Sequence, residues 1–278
     1  MIPASRSIGP VREAARPMPW IEEMRPVYDL GVTFRAGQLI MVAGHPGSGK
    51  SLWVQWLCHR WNRPTLYFSM DMSQSDTVTR LGALCTGMTS DAVKKAFERD
   101  DDESIWVEEQ LESSLMDFVY DDAPTLQEFV TQLQAYEEMY GHLPEVLVID
   151  NLVDIDHEGD DEYRAWNQTL LWLKSLCRNT GMTVIVVHHA RELDSSDYPA
   201  ARKDFAGKPG RTPELMFSVA LTPRGSFRVA IVKNRSGGGT DAKARSGIEF
   251  TTNPSKGTFR PSGAWMAPLR RGENRADA

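Results

Sequence analysis

The feature that most constrains the fold of this chain is an octapeptide with the pattern G-x-x-x-x-G-K-S. An apolar run, Leu39–Ala43, precedes it, and a stretch with apolar residues at helical spacing, Ser51–Trp61, follows it. Glycines let backbone N–H groups surround phosphate oxygens, and a helix N-terminus adds partial positive charge. The strand–loop–helix order therefore predicts a nucleotide phosphate site, with a structural glycine-rich turn as the alternative. The predicted site consists of Gly44, His45, Pro46, Gly47, Ser48, Gly49, Lys50 and Ser51.

Two residues of this loop and one distant aspartate have predicted roles in the chemistry. Lys50 is expected to reach the β and γ phosphates of ATP, and the Ser51 hydroxyl to hold Mg²⁺. A second apolar run, Val146–Ile149, ends in Asp150. An acid where a strand leaves the sheet can orient a Mg²⁺-bound water, although an aspartate there is also a common turn starter. The pairing with the loop favours the metal-binding role.

An acid and two histidines are candidates for positioning the attacking water and sensing the γ phosphate. Asp71 follows the predicted strand Thr65–Ser69 by two residues, which is expected to place it beside the strand of the phosphate loop. The alternative is an exposed acid ahead of a helix cap. His188 and His189 end the predicted strand Thr183–Val187 and are expected to point to opposite sides of the chain. Either could contact the γ phosphate, or both could satisfy polar groups of the loop.

Strands alternate with helices up to the two histidines, and short β segments follow. The alternation predicts parallel strands with crossover helices, hence an α/β three-layer fold. The later segments, Leu215–Leu221, Phe227–Val232 and weaker ones near Ile248 and Phe259, predict antiparallel strands at one edge of the sheet. We expect an N-terminal arm or linker over residues 1–30, one ATPase domain over 31–262 and a flexible tail over 263–278.

Four further helices are predicted, from capping residues or from their composition and apolar spacing. A helix capped by Ser73 runs to about Leu84, and a very acidic one covers Asp91–Glu112. Thr125 and Glu128 predict a capping box that opens the next helix. The last predicted helix, before the histidine-ended strand, covers Tyr163–Arg178.

Charge is distributed unevenly along the 278 residues, whose formal net charge is −7. Residues 71–162 contain 25 acidic and 4 basic residues, whereas residues 201–278 contain 15 basic and 6 acidic ones. A basic C-terminal quarter on an acidic body predicts a surface that faces a polyanion. A solvated face, or pairing of the two regions within an oligomer, remains the alternative.

Compartment signals point to the cytoplasm. No apolar run approaches the roughly 20 residues that span a bilayer, and residues 1–19 show no secretory signal. The cysteines, Cys58, Cys85 and Cys177, are odd in number, far apart and without metal-ligand spacing. They fit buried free thiols in a reducing compartment.

In their order along residues 31–238, these segments resemble the RecA-like ATPase core of DnaB-type replicative helicases and of their RepA-like relatives. Tyr67–Ser73 resembles the family strand that ends in an acid before Met-Ser. The family acid is usually a glutamate that activates the attacking water; here it is Asp71, one methylene shorter. Val186–His189 resembles the RepA-like double histidine, where DnaB-type proteins carry glutamine.

The resemblance extends to a basic segment near the C-terminal strands. Lys233–Gly237 resembles a Lys-x-Arg-x-Gly segment whose basic residues reach the γ phosphate of the neighbouring subunit. This implies that Lys233 and Arg235 complete the site of another copy, and hence a homo-oligomeric ring, with six subunits in the family. The loop Glu192–Pro213 corresponds to one of the two loops that line a DNA channel. Its basic residues are candidate DNA ligands: Arg202, Lys203, Lys208 and Arg211.

The resemblance implies a Mg²⁺-dependent ATPase that moves on single-stranded DNA in replication or recombination, with other proteins of those processes as further partners. It implies a RecA-like P-loop three-layer sandwich in the bacterial cytoplasm, and compact members of this kind are common among phage-encoded proteins. Two departures favour a DNA-binding ATPase that loads or mediates without unwinding. Only residues 1–30 precede the core, without the family's N-terminal helical domain, and the loop after Asp150 is strongly acidic.

A metal-dependent nuclease is the third hypothesis. The acidic loop could gather divalent ions for phosphodiester hydrolysis, although its spacing matches no nuclease motif and a solvated acidic loop is the alternative. The residues concerned are Asp154, Asp156, His157, Glu158, Asp160 and Asp161.

Overall fold

The computed structural model describes residues 16–156, 162–191, 197–207, 209 and 211–266. Within these ranges, strands of one sheet and seven α-helices are numbered in chain order. The strands are β1 Leu39–Gly44, β2 Thr65–Ser69, β3 Met116–Val119, β4 Val146–Asp150, β5 Thr183–His189, β6 Leu215–Leu221, β7 Ser226–Asn234, β8 Gly247–Asn253 and β9 Thr258–Met266. The helices are α1 Arg25–Tyr28, α2 Lys50–Trp61, α3 Gln74–Thr86, α4 Ser90–Arg99, α5 Asp102–Glu112, α6 Leu126–Tyr140 and α7 Glu162–Thr180.

The sheet has nine strands in the order β3-β2-β4-β5-β1-β6-β7-β8-β9. All pairs from β3 to β6 are parallel. The three pairs that follow, from β6 to β9, are antiparallel. The prediction of a mostly parallel sheet with antiparallel C-terminal edge strands is therefore confirmed.

Two apolar layers cover the two faces of the sheet. Side chains alternate along a strand, so Ile40 and Val42 of β1 belong to one buried cluster, and Leu39 and Met41 to the other. The first cluster includes the buried residues of α2, and the second those of α6 and α7. A helical layer thus lies on each face, which is the predicted three-layer arrangement.

The position of β2 in the sheet differs from the prediction. The sequence predicts that Asp71, just after β2, lies beside the strand of the phosphate loop, but β4 and β5 separate β2 from β1. β2 pairs instead with β3 and β4, with Ser69 opposite Asp150. Periodicity indicates which residues of a strand are buried, whereas the neighbour of a strand is set by long-range packing.

The acidic stretch Asp91–Glu112 forms two helices rather than one. Asp100 ends α4 in the left-handed region, with φ of 52°. The Asp101 side chain then accepts hydrogen bonds from the backbone N–H groups of Glu103 and Ser104 and caps α5. An aspartate that caps a helix N-terminus is stabilised there by the unpaired N–H groups. Asp101 within the acidic stretch therefore starts a second helix.

Residues 16–30 pack onto the domain, contrary to the expected arm or linker over residues 1–30. Ile21, Met24 and Val27 are at most 1% exposed and belong to the cluster around α2. Met18 N–H donates to the Phe34 carbonyl at 2.9 Å. Residues 1–15 lie outside the described residues. At the other end, β9 continues to Met266, past the expected boundary at residue 262.

Candidate functional site

The phosphate loop lies between the carboxyl end of β1 and the first turn of α2. Gly47 and Gly49 have φ of 72° and 79°, a region that favours glycine. A Cβ on Gly44 would lie 2.5 Å from both Ser48 Oγ and the Val219 carbonyl oxygen, so this position has no room for a side chain. Ser48 Oγ is itself buried with no hydrogen-bond partner among the described residues. The loop can therefore wrap backbone and hydroxyl donors around an anion.

Lys50 lies buried at the start of α2, 6% exposed. Its Nζ donates to the His45 carbonyl at 2.9 Å. Burial lowers the pKa of Lys50 to about 8, against the attraction of Asp150 and Asp71. A buried ammonium held by one carbonyl in the described structure is well placed to accept a phosphate as its counter-charge.

Asp150 ends β4 next to the phosphate loop and is 4% exposed. Its Oδ2 accepts a hydrogen bond from the Tyr67 hydroxyl at 2.5 Å, and its carboxylate also accepts one from the Ser51 side chain. Burial raises the pKa of Asp150, while these hydrogen bonds and Lys50 oppose the change. The structure thus brings Lys50, Ser51 and Asp150 together, as the sequence predicted.

Asp71 lies in the loop after β2 and is exposed. Its negative charge opposes the lowering of the Lys50 and His189 pKa values and adds to the raising of the Asp150 pKa, so it faces the phosphate loop across the carboxyl edge of the sheet. The parallel strands β2, β4, β5 and β1 all end at this edge. Asp71 therefore reaches the site without β2 being adjacent to β1.

Asp154 is a fourth charged group of the site, whereas the sequence suggested for it a place in the acidic loop after Asp150 or a role as a nuclease ligand. It lies in a short 3₁₀ turn after β4. Burial first, and then Asp71, raises its pKa to about 6. Its Oδ2 is buried and has no partner among the described residues. Its position four residues after Asp150 was visible in the sequence, but a turn that folds it back toward the site was not.

The two histidines lie within β5 and have different surroundings. His188 is fully buried, contacts Trp166 at 5.5 Å between ring centroids, and its Nε2 lies 2.8 Å from the Ala206 carbonyl. His189 is half-buried, and burial together with Lys50 lowers its pKa. The Asn151 amide oxygen accepts from Val153 N–H, so its Nδ2 donates to His189 Nε2 at 3.1 Å.

Lys50 acts electrostatically on both histidines, but of the pair only His189 also interacts with Asp71, and His188 is anchored under the segment at Ala206. A role for either in sensing the γ phosphate stays a prediction. Asn151, 2% exposed, and Tyr67 were missed by the sequence analysis. Both act through contacts between strands distant in sequence, for which the sequence carries no local signal.

Lys233 and Arg235 lie at the opposite, amino edge of the sheet. β7 runs antiparallel to β6, with Asn234 opposite Leu215, whereas the phosphate loop begins at Gly44, opposite Val219. Four residues of strand correspond to about 13 Å. The two basic residues therefore lie away from the phosphate loop of their own chain.

Several cations gather at this amino edge, and we call them the basic cluster. Lys233 Nζ donates to the carbonyls of Arg211 and Pro213 at 3.2 and 2.5 Å. Burial, Arg235 and Arg202 lower the pKa of Lys233 to about 8. Glu214 forms an ion pair with Arg235 at 3.7 Å. The members of the basic cluster are Lys174, Arg178, Arg202, Lys233 and Arg235.

Two of the candidate DNA-binding residues lie near Lys233: Arg202 lowers its pKa, and the Arg211 carbonyl accepts from its Nζ. Arg202 belongs to the basic cluster, in a segment held to the sheet by buried Ala200, Ala201 and Phe205. Lys203 and Arg211 are exposed. Lys208 lies outside the described residues, so its DNA-binding role, like that of the other three, stays a prediction.

Of the residues considered for a nuclease, only Asp154 and Asp156 lie in the described part of the chain; His157, Glu158, Asp160 and Asp161 do not. Within the described ranges, no three His, Cys, Asp or Glu side chains are grouped so that they could hold a metal ion. In the same ranges, no helix is long and apolar enough to cross a membrane.

Comparisons with known proteins give the family and the fold of this chain. A family model described as an AAA domain matches residues 21–195. The Gene 65 protein of Mycobacterium phage L5 is 29% identical over 215 residues, which cover 74% of this chain and 80% of that protein. The Gene 65 protein of Mycobacterium phage D29 is 29% identical over 208 residues, covering 72% and 89%.

Solved structures share the fold at low sequence identity. One that is described as an ATPase domain aligns with a TM-score of 0.74 at 12% identity, over 92% of this chain and 96% of that one. A DnaB-like replicative helicase, studied with its interactions with primase, aligns with a TM-score of 0.71 at 12% identity, over 92% of this chain and 64% of that one. With the family model matching residues 21–195, the chain belongs to the AAA domain family, and it is a P-loop ATPase with the RecA-like fold of DnaB-type helicase ATPase domains.

Proposed function

We propose that this protein is an ATP-driven DNA translocase or helicase of the DnaB-like class, which hydrolyses ATP between subunits of a ring and acts on single-stranded DNA. The observation that carries the proposal is the separation of the two halves of the site. The phosphate loop lies at the carboxyl edge of the sheet and Arg235 at the amino edge. An arginine that stabilises charge on the γ phosphate must then serve the nucleotide of a neighbouring copy.

The residues at the phosphate loop fit a nucleotide with Mg²⁺. Mg²⁺ prefers oxygen ligands, and the Ser51 hydroxyl and Asp150 carboxylate lie within a hydrogen bond of each other beside the loop. Bound Mg²⁺ would neutralise charge on the β and γ phosphates. Lys50 supplies a buried positive charge at the same place. Asp71 then holds the attacking water, and Lys233 supports Arg235 from the neighbouring subunit.

In a ring, the acidic edge of one copy can also contact the basic edge of the next. The carboxyl edge carries Asp71, Asp150 and Asp154, and the amino edge carries the basic cluster. A head-to-tail contact between copies brings unlike edges together, and repetition of such a contact closes a ring when the rotation permits.

The related proteins support a setting in phage DNA metabolism. Two relatives come from mycobacteriophages, and the folds that match include a DnaB-like replicative helicase. We infer a cytoplasmic protein that meets single-stranded DNA and replication or recombination proteins. Arg202, Lys203, Lys208 and Arg211 are the proposed DNA ligands.

A loader or recombination mediator that does not unwind DNA is the second candidate. It is favoured by the exposed acid Asp156 after β4, because negative charge there repels DNA phosphates from one side of the expected channel. Such a protein hydrolyses ATP faster with DNA but separates no strands.

The test combines ATP turnover, with and without single-stranded DNA, and the mass of the assembly with ATP. We expect DNA to stimulate turnover several-fold and the mass to be that of a closed oligomer. Turnover unaffected by DNA, from a monomer, contradicts the proposal. Stimulated turnover without strand separation on a forked duplex selects the loader or mediator.

The candidate DNA loop is tested by DNA binding over a range of salt concentrations, with the combined change of Lys203 and Arg211 to Ala; Arg202 is left in place because it belongs to the basic cluster. We expect weaker DNA binding and a shallower dependence on salt, because each lost phosphate contact removes about one unit of log–log slope. Lys94→Ala, an exposed lysine on α4, is the control. An unchanged salt slope would remove these residues from the DNA site.

A further inference from the structure

Tyr67 connects the middle of β2 to the acid at the end of β4. The residue is 0% exposed and lies opposite Val148 in the parallel pairing of the two strands. Its hydroxyl extends past Val148 toward the carboxyl end and reaches Asp150 Oδ2 at 2.5 Å. The ring is held against Phe118 of β3, with 5.2 Å between ring centroids. A tyrosine fixed in this way presents its hydroxyl in one direction.

The hydrogen bond has a defined polarity. A carboxylate accepts and a phenol donates at pH 7, and a bond to a charged acceptor is stronger than one between neutral groups. Asp150 is 4% exposed, so water does not replace this donor easily. Removing the donor would leave a buried carboxylate with fewer partners, which is costly in an enclosed position.

The two donors on Asp150 come from different elements. Tyr67 approaches from β2, and Ser51 approaches from the first turn of α2. Two hydroxyls on one buried carboxylate restrict its rotation about the Cβ–Cγ bond. The orientation of Asp150 relative to Ser51 is therefore set in part by a residue that does not itself touch the phosphate loop.

We propose that Tyr67 is a positioning residue that orients the Asp150 carboxylate for binding the divalent metal of the nucleotide complex. This rests on the proposed function, in which Ser51 and Asp150 hold Mg²⁺. Tyr67 binds neither nucleotide nor metal; it fixes the acid that does. Its loss weakens the metal-dependent part of nucleotide binding and leaves the phosphate loop's own contacts with the nucleotide in place.

The test measures binding of a fluorescent, non-hydrolysable ATP analogue to the full chain across a Mg²⁺ titration, and then without Mg²⁺. For Tyr67→Phe we expect the Mg²⁺ concentration at half-maximal tightening to rise about tenfold, from the loss of one hydrogen bond to a charged group. The affinity without Mg²⁺ stays at the wild-type value. Phenylalanine keeps the ring and its packing, and thermal unfolding of the same sample checks the fold.

Tyr140→Phe is the control, because the Tyr140 hydroxyl also donates to a carboxylate, that of Asp117 in β3, at 3.0 Å and at an exposed position. Its Mg²⁺ titration is expected to match the wild type. A double-mutant cycle with Asp150→Asn assigns the effect: Tyr67→Phe should have no further effect on the Mg²⁺ titration once Asp150 has lost its charge.

The possible outcomes test the role of Tyr67 separately from the proposed function. A wild-type Mg²⁺ titration for Tyr67→Phe, or an equal effect of this change with and without Asp150→Asn, overturns the role of Tyr67 and leaves the proposed function standing. A fall in metal-free affinity equal to the fall with Mg²⁺ shows a packing role only, and also overturns it. Absence of any Mg²⁺-dependent tightening in the wild type contradicts the proposed function itself.

Discussion

Asp71 and Asp154 both act on the charge of the phosphate site but differ in exposure. Asp71 is exposed, and its negative charge opposes the lowering of the Lys50 and His189 pKa values by burial. Asp154 has a buried carboxylate oxygen with no partner among the described residues. An exposed acid at the rim can exchange water with solvent and hold one molecule for attack, whereas an enclosed one mainly adds negative charge.

For Asp71, the expected result of Asp71→Asn is loss of most ATP turnover with ATP binding kept, because the carboxylate orients water and holds no phosphate. A fall of about a hundredfold in kcat is typical of losing such a group. Asp71→Glu should keep activity if the site accommodates one more methylene. Turnover and fluorescent-nucleotide binding are measured together, and parallel loss of both would make Asp71 structural.

The raised pKa of Asp154 makes the free energy of unfolding depend on pH. Its pKa is raised from 3.8 to about 6, first by burial and then by Asp71. The folded state therefore binds more protons than the unfolded state between these values. The stability contributed by this group is present below pH 3.8 and is lost as the pH rises through about 6.

Asparagine does not ionise, so Asp154→Asn removes the loss of stability that occurs as the pH rises. We expect wild type and variant to have similar free energies of unfolding near pH 4, and the variant to be more stable at pH 7.5 by about 1 kcal/mol, allowing for partial exposure. Urea unfolding without nucleotide measures this, and Asp156→Asn, at an exposed position two residues after the turn, is the control. A variant that is less stable at pH 7.5 would show that the carboxylate is satisfied as a charge.

At the scale of elements, local signals predicted the starts of α3 and α6, whereas the break between α4 and α5 and the neighbours of β2 came from the structure. Ser73 caps α3 through Asp76 N–H, and Thr125 and Glu128 form the predicted capping box of α6. The place of β2 beside β4 was missed, because periodicity is a property of one segment and pairing is a property of two. Tyr67 was missed as a partner of Asp150 for the same reason.

The capping box at the start of α6 is on the face of the sheet away from α2, so it tests stability apart from chemistry. Thr125→Ala removes the acceptor for Glu128 N–H and is expected to cost about 1 kcal/mol of unfolding free energy. ATP turnover at 25 °C should not change. Thr131→Ala, an exposed threonine within α6, should change stability by less than about 0.5 kcal/mol. Equal costs for the two would remove the cap as the cause.

At the scale of the whole molecule, the two halves of the site lie at opposite edges of the sheet. The carboxyl edge holds the phosphate loop, and the amino edge holds Arg235, which is proposed to act on the nucleotide of a neighbouring copy. The sequence predicted the phosphate loop, the Lys233–Gly237 segment and the excess of basic residues near the C-terminus. The basic cluster itself was not, because Lys174 and Arg178 come from α7 and join Lys233 only through the amino edge of the sheet. Separation of the edges within one chain is what makes a ring the central claim.

That claim is tested most directly by mixing two inactive variants. Lys50→Ala lacks the charge that meets the phosphates and Arg235→Ala lacks the residue donated to the neighbour, so each alone should turn over ATP at least about a hundredfold more slowly. Lys94→Ala controls for loss of a lysine on the surface.

In an equal mixture, about one interface in four pairs an intact phosphate loop with an intact Arg235. We predict that turnover recovers to as much as about a quarter of the wild-type rate when the two variants are mixed, and only under conditions where the assembly is oligomeric. No recovery from the mixture, with a monomeric mass in the presence of ATP, would contradict the ring.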